Sequence, residues 1–209
     1  MVKKVKPMEF NKKELKVLKS LNTPQKIQSF LNDLSFRFEK KDTYNSPRKI
    51  LNDHKAHCFD GALLAASALW VNGEKPLLLD LKVAEKKRDV DHVIVLFKRD
   101  GFWGAISKTN HAVLRYREPV YKSVRELAMS YFHEYFMNNG EKTLRSFSKP
   151  FDLSKFGTEW LTSEKDLYYI VEALDISPHT QILSNKQIKN LRRADKIEIK
   201  TGEIVEYKS

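Results

Sequence analysis

Apolar positions first fall into helical spacing in "TPQKIQSFLNDL", where Ile27, Phe30, Leu31 and Leu34 share one face. Thr23 supplies an N-cap and Pro24 a pre-set first helical residue, so a helix is predicted from residue 24 onward. A second, short helix is predicted after the Ser46-Pro47 pair, through "RKILND". From Phe59 to about Val71 nearly every position is apolar or small. That pattern predicts a helix buried on all sides, ended by Asn72-Gly73.

The period then changes to that of strands. "PLLLDLKV" is one, and "DHVIVLFKR" runs through an Asp100-Gly101 turn into "FWGAIS", which predicts an antiparallel meander. "REPVYKS" reads as a connector whose Ser123 opens an amphipathic helix. Glu126 is its capping-box partner, with Leu127, Tyr131, Phe132, Tyr135 and Phe136 on the apolar side and Asn139-Gly140 as the stop. Further on, helices are predicted at "EKDLYYIVEAL" and "NKQIKNLRRA", and the alternation in "KIEIKTGEIVEY" predicts a C-terminal hairpin.

A chain of 209 residues is long enough for one well-buried core. The expected organisation is one domain over 1–209, with a core at about 23–150 and a helical and hairpin extension over 151–209. No apolar run approaches the length of a membrane span, and the lysine-rich "MVKKVKPMEFNKK" is not followed by a signal-peptide apolar region. The expected location is the cytoplasm, which the single cysteine fits. A net charge of +11 raises nucleic acid as a partner. The lysines and arginines are widely spread, however, with no glycine-rich phosphate loop or RNA-binding aromatic signature beside them.

The one cysteine, Cys58, stands where the polar "DHKAH" turns into the apolar helix. There it meets the positive end of the helix dipole and unpaired N–H groups, which favour thiolate. A cysteine nucleophile needs a base, and the base needs a third group to fix its tautomer. His92, at the start of the "DHVIVLF" strand, is the candidate base. If Asp100-Gly101 closes a two-residue hairpin, Arg99 faces Phe102, His92 falls opposite Thr109, and Ser107 lies on the same face. The third member is then expected from "SKTN": Asn110 by preference, for its fixed carbonyl acceptor, with Ser107 as the alternative.

The order of "HCFDGALLAASAL", "DHVIVLF" and "GFWGAIS" resembles the transglutaminase-like superfamily, a branch of the papain-like cysteine hydrolase fold. "SPR" ahead of the cysteine and "LRYREPVYKSVRELAMSYF" after the hairpin resemble a bacterial branch of it. The resemblance implies an α+β fold with a buried helix carrying the cysteine on an antiparallel sheet. It also implies amide hydrolysis or acyl transfer through a thioester, with Cys58 as nucleophile and His92 as base. The family's aspartate falls four residues after the hairpin tryptophan, where this chain has Ser107. That departure leaves room for a relative that kept the fold and lost the reaction.

His54, His57, Cys58 and His92 contain the residue types of a zinc site, but adjacent ligands such as His57 and Cys58 argue against one, and neither metal nor cofactor is expected. His57 is expected to cap the helix or line the cleft mouth. Trp103 and Arg115 complete the substrate-binding candidates, Arg115 as a carboxylate or phosphate clamp. Asp60 and Asp91 flank the site, and Tyr44 or Asn52 are candidate oxyanion donors. The implied partner is a peptide or other amide. Two rival functions are an inactive binding module on the same scaffold and a basic nucleic-acid-associated protein.

Overall fold

The computed structural model describes residues 9–38, 43–84 and 89–208. The lysine-rich opening, residues 1–8, lies outside them. Among the described residues, eight α-helices run in the order α1 (Lys12–Ser20), α2 (Pro24–Asp33), α3 (Pro47–Asp53), α4 (Cys58–Val71), α5 (Val124–Met129), α6 (Tyr168–Asp175), α7 (Asn185–Lys189) and α8 (Lys196–Gly202). The short strands β1 (Ser35–Phe36) and β2 (Lys55–Ala56) pair in parallel. The main sheet is antiparallel throughout and contains β3 (Leu77–Val83), β4 (His92–Arg99), β5 (Phe102–Ile106), β6 (Arg117–Tyr121), β7 (Leu144–Ser148), β8 (Phe151–Asp152) and β9 (His179–Gln181). Its order is β6-β5-β4-β3-β7-β9, with β8 also on β3.

The α4 helix forms because alanine and leucine dominate it, and both favour the helix intrinsically. The His57 side chain accepts the Phe59 N–H at its start, and Asp60 sits favourably in the first turn. At its end the Asn72 amide donates to Ala68 O at 2.8 Å and to Leu18 O of α1 at 2.9 Å. Gly73, at φ 91°, then turns the chain away. Phe59 through Trp70 are all buried, so the helix has no solvent face.

It packs on the sheet, where β4 serves both sides. Val93, Val95 and Phe97 join the cluster around α4, while Ile94 and Leu96 join Leu127, Tyr131 and Tyr135 on the other face. A strand covered on both faces reads as a continuous apolar run. The fold is therefore α+β, with the buried cysteine helix laid on an antiparallel sheet.

Several elements differ from the sequence expectation. "REPVY" is the strand β6 rather than a connector, pairing Trp103 with Tyr121 and Ala105 with Arg117. Pro119 misleads there because an edge strand tolerates proline. The helix begun at Ser123 stops at Met129, followed by a 3₁₀ turn at Phe132–Glu134. Tertiary partners end it: Arg117 lies 4.1 Å over the Tyr131 ring and its Nη2 reaches Glu134 at 2.6 Å. The expected C-terminal hairpin is instead the helix α8, because Asp195 and Glu198 form a capping box that outweighs the short alternation. Helix α1 and strand β7 were not anticipated. Residues beyond 150 also enter the main core, including β9 in the sheet and Trp160, stacked on Trp70 at 6.1 Å.

Candidate active site

Cys58 is the first residue of α4 and is half-buried. It opens on a cleft of about 1000 Å³ that His57, His92, Asp80, Asp91 and Tyr135 also line. Burial pushes its thiol up, but hydrogen bonds with His57 and His92, and the charge on both rings, outweigh that and hold it at about 5. Its backbone N–H is among the first four of the helix, which lack an intrahelical acceptor.

His92 opens β4, and its orientation follows from proton bookkeeping. Ser107 Oγ donates its one hydrogen to Leu114 O at 2.6 Å. It can therefore only accept from His92 Nε2, 2.8 Å away. The neutral ring therefore carries its hydrogen on Nε2 and keeps Nδ1 as its basic nitrogen, and His92 is among the groups that lower the Cys58 thiol.

Ser107 is itself held from outside the sheet. The β4–β5 ladder runs from Arg99 opposite Phe102 to Val95 opposite Ile106, one residue short of Ser107. The Gln28 side chain of α2 replaces the missing strand. Its Oε1 accepts the Ser107 N–H at 2.9 Å and its amide donates to Ser107 O at 2.8 Å. The buried Lys108 ties down the next residue by donating to Leu31 O and Leu34 O at the end of α2. Its side chain crosses Gly61, where an added Cβ would lie 2.4 Å from Lys108 Cβ.

His57 serves two masters. Its Nε2 is 2.8 Å from Thr43 O and 3.5 Å from Asp60 Oδ1, while Nδ1 accepts the Phe59 N–H. Burial pushes the ring down, but the hydrogen bond with Cys58 and the negative charges of Asp60 and the thiolate raise it to about 9. A protonated Nδ1 must release Phe59 and donate, so capping the helix and serving the sulfur are exclusive uses of one nitrogen. Asp60 is fully buried; burial raises its carboxyl, offset by His57, the Asn45 N–H and Arg37.

Other expected positions fall elsewhere. Asn110 does not reach His92: its amide donates to Tyr207 O and accepts the Tyr207 N–H, each at 2.9 Å. Trp103 pairs with Lys98, at the far end of β4 from His92, roughly 20 Å away at the usual rise per residue. It packs in the α5-side cluster under the Lys98 ammonium rather than in the cleft. Arg115 is spent on Glu206 at 2.9 Å and on His111 O. Tyr44 lines the cleft, whereas Asn52 is exposed on α3. His54 caps the end of α3 away from the cleft, so the four-residue zinc set does not assemble.

Two cleft residues, Asp175 and Asp80, and Gln28 on the Ser107 backbone carry no expectation from the sequence. Asp80 carried a readable signal, an acid in the middle of the apolar "LLLDLKV". Tyr135, noted only as apolar, lines the cleft and donates to Val90 O at 2.6 Å.

No protein-family model and no curated protein matches the sequence. Among solved structures, the chain is similar to LapG of Legionella pneumophila. One LapG structure is 18% identical, over 46% of this chain and 59% of that one, with a TM-score of 0.35. An EGTA-treated LapG structure is 14% identical, over 72% of this chain and 83% of that one, with a TM-score of 0.40. The functional reading therefore rests on the residues of the cleft. No helix among the described residues is long and apolar enough to cross a membrane.

Proposed function

We propose that the protein is a cysteine-dependent amide hydrolase or acyl transferase, with Cys58 as nucleophile, His92 as general base and acid, and Ser107 as the group that orients His92. The reading is supported above all by Cys58 standing between two imidazoles at a helix N-terminus, with the tautomer of His92 fixed by Ser107.

The sulfur adds to an amide carbonyl to form a C–S bond, and the Cys58 N–H at the start of α4 donates to the developing oxyanion. The C–N bond breaks as protonated His92 gives its Nδ1 proton to the departing amine, leaving a thioester. Water or an amine, deprotonated by His92, then attacks the thioester and the thiol leaves with the returned proton. A neutral Ser107 stabilises imidazolium less than a carboxylate does. The same feature favours the second reading, a binding module that retains the cleft.

Alkylation by iodoacetamide separates the two, because the chain has a single cysteine. The enzyme reading expects an apparent pKa near 5 and a marked rise in His92→Ala, well below the ~8.5 of a free thiol in the wild type only. An inert thiol, or one that titrates freely whatever stands at position 92, removes the support for catalysis.

A further inference from the structure

We infer that Asp80, Asp91 and Asp175 form a binding site for one divalent cation of the hard, oxygen-preferring kind, with Ca²⁺ as its type. The three carboxylates come from separate elements: Asp80 from the middle of β3, Asp91 from just before β4, and Asp175 from the last turn of α6. One oxygen of each lies within 4.8 Å of the other two. Oxygens that ligate one Ca²⁺ at ~2.3–2.6 Å can stand up to about 5 Å apart, so the spacing suits a common ion.

The second observation is independent of the clustering. Asp80 is 3% exposed, and its Oδ1 has no hydrogen-bond partner among the described residues. A buried carboxylate oxygen left unpaired carries a desolvation cost that a neighbouring cation relieves. The other oxygen is occupied by His179 Nε2 at 3.1 Å. Lys82 Nζ sits on Asp175 Oδ1 at 2.5 Å, and Asp91 Oδ1 accepts the Val83 N–H at 2.8 Å. The protein's own donors thus occupy one oxygen of each carboxylate and fix the three groups, while Asp80 Oδ1 is left over for an ion.

The donor set also selects the ion. Zinc would draw on nitrogen or sulfur, but the nearest imidazole, His179, is already committed to Asp80 and to Ser177 O. All-carboxylate oxygen with room for water on the cleft side is the chemistry of Ca²⁺ and, less well, of Mg²⁺. The site needs nothing from Cys58, so it stands or falls apart from the proposed reaction.

The test uses the full chain, titrated with CaCl2 after EDTA treatment and followed by thermal melting and calorimetry, with Tb³⁺ luminescence sensitised by the nearby Tyr135. The wild type is expected to bind one ion and to melt higher with added CaCl2. Asp91→Asn and, separately, the exposed Asp175→Asn should weaken binding on the order of tenfold or more while melting like the wild type in EDTA. The second variant guards against a folding defect in the first. No response by the wild type at about 10 mM CaCl2, some tenfold above the ~1 mM weak limit of built calcium sites, overturns the proposal. So does an equal response in both variants, or a melting rise with spermine and none with CaCl2, which would mark the acids as a subsite for an organic cation.

Discussion

The two ends of the cleft balance their charge to different extents. At the Cys58 end the chain supplies its own counter-charges: two imidazoles for the sulfur, and Arg37 and His57 for the buried Asp60. At the Asp80 end three acids share two cations: His179 lies on Asp80 at 3.1 Å and Lys82 on Asp175 at 2.5 Å. Burial, and after it the proximity of Asp80 and of Asp175, push Asp91 up to about 6 against the pull of the Val83 N–H and of Lys82. One Asp80 oxygen finds no hydrogen-bond partner among the described residues, and neither does Asp60 Oδ2, but that oxygen faces Arg37 at 3.4 Å. Tyr135 lies between them, its hydroxyl pushed well above its ordinary value by burial and then by Asp89, Cys58, Asp91 and Asp80. In charge the first end is complete within the chain, and on the proposed function it acts on a neutral substrate. The second, on the inference above, takes a further cation from outside.

The largest effect is expected from breaking the complete end. Replacing His92 by alanine removes the base and the proton donor to the leaving amine, and should lower amide turnover by about 10³-fold or more. Single-turnover measurement with a scissile amide checks this. An unchanged rate would move the base to His57, the other imidazole on the sulfur. Ser107→Ala should cost less, roughly 10–100-fold, since Ser107 orients His92 without the charge whose loss costs ~10⁴ in carboxylate triads. The loss should appear in kcat rather than KM, with the alkylation pKa of Cys58 moving upward. Loss in KM alone would make Ser107 a packing residue.

Next in size are two changes that test how the complete end is held. Gly61→Ala drives a methyl into Lys108 Cβ inside a helix with no solvent face, and should destabilise the fold by about 1–3 kcal/mol. Gln28→Ala leaves the Ser107 N–H and O without their amide partner, at about 1–3 kcal/mol. Urea denaturation measures both. Only Gln28→Ala should also mimic Ser107→Ala in turnover, because only it frees the residue that orients His92.

The difference between the two ends also decides how far each was legible in the sequence. Cys58 and His92, the proposed nucleophile and base, stand out in the sequence because of local position: a thiol at the head of an apolar helix, an imidazole at a strand start. The hairpin register, read from Asp100-Gly101 alone, placed Ser107 on the face of His92. Asn110 was preferred on acceptor strength, which could not foresee that Tyr207, 97 residues on, would take both sides of its amide. The acidic end is hidden for the same reason, apart from Asp91, which stands next to His92 in the sequence. Asp80, Asp91 and Asp175 are separated by long stretches of chain, and α6 reaches β3 only through packing that no local period encodes. Position within an element was readable; partners brought by distant elements were not.

The smallest expected effect is also the one that ties charge to fold at the complete end. The Cys58 pKa is lower in the folded state, about 5 against ~8.5 unfolded, so its contribution is full above ~8.5 and is lost as pH falls toward 5. His57 is raised, about 9 against ~6.5, so its contribution is full below ~6.5 and is lost as pH rises toward 9. The two losses oppose each other between ~6.5 and ~8.5, which predicts a plateau there with a decline on either side. Other groups titrate as well, Asp91 among them, so the informative quantity is the difference in Tm between the wild type and Cys58→Ala across pH 4–10. For a chain of this size each kcal/mol moves Tm by ~2–4 °C, within reach of calorimetry. A difference that keeps falling from pH 5 to pH 9 would mean that His57 alone carries the coupling. A flat difference would dissolve the ion pair and, with it, the contrast between a self-sufficient end of the cleft and one that awaits a cation.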